Sequence, residues 1–210
     1  MIHSYIIKGI VVGFDARYNS KTWGALTAQI FSNAGVRVRL FSDIVPTPYV
    51  AFNVRYHELC LGVMCTASHN PKEDNGYKVY WANGAQIIPP HDRNIATAID
   101  QNLAPWAGNW SIETIPNIYN RDLVTDPMAE TDVEYFKLLK RYATRREKNG
   151  STSVKCAYTP VHGVGTRFVK MAMATFNLPE VIEVELQKNP DPDFPTVKFP
   201  NPRVSRMRLR

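Results

Sequence analysis

The chain has 210 residues, 44% of them hydrophobic and 21% charged. That is enough to bury a sizeable core in one domain or somewhat more, and no run of about 18 apolar residues is present to span a membrane. The formal charge of +6 is no sign of a nucleic-acid surface, because Arg203, Arg206, Arg208 and Arg210 crowd the C-terminal end and without them the charge falls to +2; a solvated basic tail is expected instead.

The opening stretch, Met1 to Lys8, lacks the charged start and small-residue cleavage site of a signal peptide. Cys60, Cys65 and Cys156 lack metal-ligand spacing. Buried thiols in a reducing compartment, the cytoplasm, are therefore expected.

Gly9 to Phe14 is short and β-branched, which predicts a buried strand. Ser20 is placed to cap a helix carrying Trp23, Leu26 and Ile30 inward and closed by Gly35. Val36, Val38 and Leu40 alternate with Arg37 and Arg39, the pattern of a half-exposed strand. Pro46-Thr47-Pro48 opens a short helix running to about Arg55, and Leu61 to Cys65 is the next strand. Tyr77 to Trp81 and Ala85 to Ile88 flank Asn83-Gly84, a hairpin signal. A helix bearing Ile95, Ala98 and Ile99 then starts near His91. This alternation predicts parallel βαβ units with an antiparallel addition, an α/β fold with a mixed, mostly parallel sheet sandwiched by helices.

Periodicity disappears from Leu103 to about Pro127, which reads as a long connection. A helix with Val133, Phe136 and Leu139 inward follows, and then a solvated basic face of Arg141, Arg145, Arg146 and Lys148. Val154 to Tyr158 and Val181 to Val184 read as strands around an amphipathic helix with Phe168, Met171, Ala172 and Phe176 on one face. A single βαβ unit cannot bury both its faces, so this second α/β domain is expected to be incomplete. The division predicted is residues 1–127, 128–202 and a tail at 203–210.

The chemistry concentrates in Thr66-Ala67-Ser68-His69-Asn70-Pro71 and Asp74-Asn75-Gly76-Tyr77-Lys78. Serine and Asn-Pro also suit an ordinary turn. Here, however, a hydroxyl follows a buried strand, at the edge where parallel sheets place ligands. His69, Asn70 and Lys78 lie close in sequence, and Arg17 ends the first strand at the same edge. Arg and Lys beside one hydroxyl suggest phosphate handling, and the absence of Gly-x-Ser-x-Gly argues against acyl transfer.

These strings resemble the active-site loop of the α-D-phosphohexomutases, the family of phosphoglucomutases and phosphomannomutases. The run from Asp74 to Ile88 with Pro90-His91-Asp92, together with Phe14 to Arg17, Val161 to Gly165 and Asp191 to Lys198, resembles its branch containing phosphopentomutase and glucose-1,6-bisphosphate synthase. The likeness covers about residues 9–202. It implies a sugar-phosphate mutase of carbohydrate metabolism, an intramolecular phosphotransferase acting on sugar phosphates and a sugar bisphosphate. Ser68 would be a phosphoserine whose phosphate helps ligate Mg²⁺. Lys78 and His69 would attend the transferred phosphoryl and its proton, with Lys78 as general acid/base. Asn70 and Lys78 would contact substrate, and Arg17 would hold the loop.

The sequence also departs from that family. An upstream Gly-Thr-Ala-Gly-Leu-Arg type segment and the Asp-x-Asp-x-Asp-Arg metal loop have no counterpart here. Asp191 and Asp193 are followed by Phe194-Pro195 and match a segment that precedes the metal loop. The third-domain sugar loop and fourth-domain phosphate loop are missing, and residues 203–210 fit no family segment. The expectation is that the 210-residue chain alone is weakly active or inactive. The alternative function is a non-catalytic fragment or splice form that acts as a binding or interfering module.

Overall fold

The computed structural model describes residues 8–198 and 200–201. The N-terminal stretch read for a signal peptide and the basic tail lie outside the described residues, apart from Lys8. Strands β1 (Ile10–Phe14), β2 (Val38–Leu40), β3 (Leu61–Cys65), β4 (Tyr77–Trp81) and β5 (Val124–Thr125) form one sheet in the order β4-β3-β1-β2-β5. β1 pairs in parallel with both β2 and β3, β5 joins β2 in parallel, and β4 is the antiparallel edge. The predicted mixed sheet is what forms. The Asn83-Gly84 turn is also present, with Gly84 at φ +74, and the returning chain touches β4 through Tyr80 and Gln86.

Each strand feeds both faces, because successive side chains alternate. Ile10, Val12 and Phe14 of β1 pack with Val38, Leu40, Val63 and Cys65 under α1 (Ser20–Asn33). On the other face, Val11 and Met64 meet Tyr49, Val50 and Val54 of α2 (Thr47–Tyr56). Two glycines set that spacing. A Cβ on Gly13 or Gly62 would stand 2.7–2.8 Å from Val45, Val50 or Val54, so α2 sits closer to the sheet than any side chain there would allow.

Helix α1 departs from expectation. Leu26 is buried, but Trp23 is 41% exposed, and Gly24, Ala25, Ala28 and Gln29 form the inward face. Small residues let the helix lie close to Phe14 and Val12, and a large indole cannot fit such a seam. Nor does Ser20 cap the helix. Asn19 (φ +68) precedes it, and the buried Ser20 hydroxyl donates to Asp15 Oδ1 at 2.7 Å.

Residues 103–127 are more than a connection. A 3₁₀ segment, Ile112–Asn120, lays Ile115 and Ile118 on the α1 side of the core, and Val124–Thr125 completes the sheet. Gln29 ties this segment to α1 by donating to the carbonyls of Asn109 and Ser111. Helix α3 (His91–Asp100), which bears Ile95, Ala98 and Ile99 as expected, buries no residue.

In α4 (Met128–Lys140), Phe136 and the partly buried Leu139 face the core as expected, but Val133 is 64% exposed. Thr131 takes the inward place because its hydroxyl pairs with the buried Asn53 carboxamide at 3.0 Å. After the short α5 (Arg146–Asn149), β6 (Ala157–Tyr158) and β7 (Ile182–Glu183) form a parallel pair joined by α6 (Gly165–Thr175). Within the basic face, Arg146 donates to the Thr175 carbonyl at 2.9 Å instead of standing free in solvent. Both strands are shorter than expected. α6 packs on α4 and drives Phe168 against Tyr49, with ring centroids 4.9 Å apart. The helix side of the βαβ unit is thereby covered by the first unit, while Val154, Ile182 and Leu186 remain 57–78% exposed.

Cys60 and Cys65, the two in apolar runs, are buried, whereas Cys156 is exposed. Burial pushes the Cys65 thiol up to about 12, and only thiolates alkylate quickly. Iodoacetamide at pH 8 is therefore expected to label Cys156 first and leave Cys65 unlabelled until the chain unfolds; peptide mapping after timed quenching reads the order.

Candidate functional site

β1 and β3 are neighbours in register, with Phe14 opposite Cys65, so the residues that follow them emerge side by side at the C-terminal edge of the sheet. The Asp15 amide donates to the Cys65 carbonyl at 3.1 Å, joining the two exits. The chain beyond Cys65 forms a closed loop, residues 66–76, whose ends meet where the Thr66 amide donates to the Gly76 carbonyl. Only glycine serves at that closure, since a Cβ on Gly76 would lie 2.4 Å from the Thr66 carbonyl oxygen.

Ser68 sits at the outer bend of this loop, exposed, with φ +53, a left-handed conformation that non-glycine residues seldom adopt. Its amide donates to Thr66 Oγ1 at 3.0 Å, which holds the bend. Lys78 reaches it from β4, and its Nζ donates to Ser68 Oγ at 2.5 Å. An exposed hydroxyl and an amine are thus in direct contact, the geometry that acid–base assistance requires.

Arg17 is brought to the loop but not to the hydroxyl. Its side chain is only 2% exposed. Nη1 donates to the carbonyls of Pro71 (2.7 Å) and Asp74 (3.3 Å), and Nη2 to those of Ser68 (2.9 Å) and Asn70 (2.8 Å). Nε lies 3.4 Å from Asp15 Oδ2 without hydrogen-bond geometry. Burial pulls its pKa down, and the carboxylates of Asp15 and Asp74 counteract this; a guanidinium keeps its charge under such conditions. Every Nη donor is directed at loop backbone, so Arg17 acts as a clamp that sets the position of Ser68.

Asn70 turns its carboxamide to Asp74 Oδ2 at 3.2 Å, within the loop, and His69 is exposed beside Ser68. Among the described residues, no group of three or more His, Cys, Asp or Glu side chains comes together that could hold a metal ion. No helix of the described residues is long and apolar enough to cross a membrane.

Two parts of the site lie in strings that carry the family resemblance, but nothing in the sequence gives them a place beside the serine loop. Asp15 orients Ser20 and the Arg17 backbone, accepting from Ser20 Oγ and from the Arg17 amide at 3.1 Å. Asp193 and Phe194 arrive from the second unit. The Asp193 carboxylate accepts from Tyr18 and Lys72, and Phe194 lies against Arg17. Tyr18 and Asp193 are 175 residues apart, so no local spacing could pair them.

Comparison with known proteins places this geometry among relatives. Residues 2–105 match the family profile of phosphoglucomutase/phosphomannomutase alpha/beta/alpha domain I, and residues 133–209 match that of domain II. The chain is 50% identical over 204 residues to phosphopentomutase of Homo sapiens and 43% identical over 204 residues to glucose 1,6-bisphosphate synthase of the same organism. In each case 93% of this chain and 32% of the relative are covered, so it spans about a third of the length of these curated relatives. The crystal structure of a phosphomannomutase candidate from Thermus thermophilus superposes with a TM-score of 0.70 at 25% identity, covering 94% of this chain and 42% of that one.

Proposed function

Because the chain belongs to the phosphoglucomutase/phosphomannomutase family, we propose that Ser68 is the phosphate-carrying residue of a sugar-phosphate mutase. The observation that carries this reading is the 2.5 Å contact between Lys78 Nζ and the exposed Ser68 Oγ. In one half-reaction a phosphoryl group passes from Ser68 to a sugar hydroxyl. The Oγ–P bond breaks, the sugar O–P bond forms, the attacking hydroxyl gives its proton to solvent, and Lys78 gives a proton to the departing Oγ. In the other half, the O–P bond of the second phosphate breaks, the Oγ–P bond re-forms at Ser68 with its proton returning to Lys78, and the freed sugar oxygen takes a proton from solvent. Such transfers depend on positioning and charge neutralisation more than on covalent chemistry. Lys78 supplies charge, and Arg17 supplies position. His69 and Asn70 are exposed beside Ser68, placed to meet a sugar phosphate.

The relatives are named phosphopentomutase and glucose 1,6-bisphosphate synthase, which makes a sugar phosphate or bisphosphate the substrate class. The family chemistry implies Mg²⁺, with a Ser68 phosphate oxygen as one ligand. The described residues do not complete such a site, since near-octahedral oxygen coordination needs more donors than one phosphate offers. The division of the chain near residue 127 into a serine-bearing domain and a second α/β domain belongs to the same reading.

Incubation with glucose 1,6-bisphosphate and Mg²⁺, followed by peptide mapping, is expected to find phosphate on Ser68. The label should be lost in Ser68→Ala. Phosphate found elsewhere, or absent from the wild-type serine, would remove Ser68 from the role.

A further inference from the structure

We propose that the 191–196 turn of the second unit is a positioning element for the Ser68 loop, acting through Arg17, Tyr18 and Lys72. This rests on the reading of Ser68 as the phosphate carrier. The turn begins from its own sequence. Asp191 Oδ1 accepts from the Asp193 amide at 2.9 Å, and Phe194 takes φ +49. From behind it is held by a buried polar knot. The His162 carbonyl accepts from the Asp191 amide, and His162 Nε2 and Gln187 Nε2 both meet Thr196 Oγ1 at 2.8 Å. His162 and Gln187 are 4% and 5% exposed, and Val161 and His162 also adopt positive φ. Strained backbone of this kind persists only where its surroundings over-determine it, and it clusters at functional sites.

From the front, the turn reaches the serine loop directly at Lys72 and indirectly through Tyr18 and Arg17. Asp193 Oδ2 accepts from Tyr18 at 2.8 Å, and Oδ1 accepts from Lys72 at 3.0 Å. Tyr18 in turn offers its carbonyl to Asn75 Nδ2 at 2.8 Å. The buried Phe194 ring lies 5.2 Å from Arg17 Cζ. Arg17 spends its guanidinium edge on loop carbonyls, which leaves a face for an aromatic ring. Phe194 on that face keeps Arg17 from swinging out and shields the four carbonyl bonds from water.

Two considerations distinguish positioning from plain packing. Asp193 spends its carboxylate on Lys72 of the serine loop and on Tyr18, directed polar contacts that plain packing of apolar surface would not need. The second unit is also already fastened elsewhere, by Phe168 against Tyr49 and α6 against α4. The turn is therefore not needed to hold the units together.

Amide hydrogen exchange on the full chain tests this without relying on catalysis. In Phe194→Ala and Asp193→Ala, the Ser68, Asn70 and Asp74 amides are expected to exchange about tenfold faster, with β1 and β3 unchanged. Phe194→Tyr should restore protection. The exposed Asp193 and Lys72 cover the case in which Phe194→Ala fails to fold, and the Lys72→Ala/Asp193→Ala pair should exchange no faster than either single variant. Where the wild type takes phosphate at Ser68, the same changes should slow transfer about 10- to 100-fold at an unchanged half-saturating donor concentration. Loop protection identical to wild type in both Phe194→Ala and Asp193→Ala would overturn the proposal. A wild-type serine that takes no phosphate would instead defeat the phosphoserine reading, leaving exchange to decide the turn's role.

Discussion

Replacing Lys78 with Met is expected to slow phosphoryl transfer to and from Ser68 by about 10²- to 10⁴-fold, the range of a lost acid–base partner. The reason lies in how the side chain is delivered. Lys78 stands opposite Met64 in the antiparallel β3–β4 pairing, so its backbone is fixed to the strand that also launches the serine loop. Its neighbour Tyr77 is tied to α1 through Thr27 Oγ1 at 2.8 Å. Alternation along the strand then sends Lys78 to the other face, and its amine ends 2.5 Å from Ser68 Oγ. Met keeps the length and apolar stem but removes both the proton and the positive charge. Because Lys78 is only half-buried, stability should change little, which separates a chemical loss from a folding one. Rapid-quench measurement of phosphate appearing on Ser68 from a sugar bisphosphate reads the rate. A rate within twofold of wild type would exclude Lys78 from the chemistry.

How much of this can be read in advance depends on how local the cause is. The apolar run of β3 and the Ser68 loop are legible because a short apolar strand followed by turn residues acts within a dozen positions. The Asn83-Gly84 turn is legible for the same reason. The fifth strand is not, because two residues, Val124 and Thr125, are too few to show alternation. The 3₁₀ segment before it interrupts its own pattern with Pro116. Trp23 misleads because its spacing from Leu26 and Ile30 is helical, whereas the true inward face of α1 is made of small residues suited to close approach. At the site, the ten-residue spacing of Ser68 and Lys78 leaves their contact open, and the family resemblance is what points to it. Arg17 belongs to the expected edge, but its aim, at four backbone carbonyls, follows from the loop's curl and is not encoded in spacing. Asp193 and Phe194 depend on the second unit folding back over the first.

That aim gives Arg17 its own expected result. Changing it to Met should destabilise the chain by about 3 kcal/mol in urea unfolding, because it leaves buried loop carbonyls without donors and Asp15 without its cation. Transfer to Ser68 should fall at least about a hundredfold, since a loop free to shift by an ångström loses alignment of the serine with its partners. The informative comparison is Arg17→Lys. If Arg17 bound phosphate as a point charge, lysine would preserve much of the function. In this structure the guanidinium fork reaches Ser68, Asn70, Pro71 and Asp74 at once. A single ammonium has three donors on one atom and no planar fork with which to reproduce that span. Lysine is therefore expected to behave nearly as badly as methionine, both in unfolding midpoint and in transfer rate. Retention of transfer in Arg17→Lys with lost stability would split the two roles, showing that the charge of Arg17 acts on the phosphate while its geometry serves the loop.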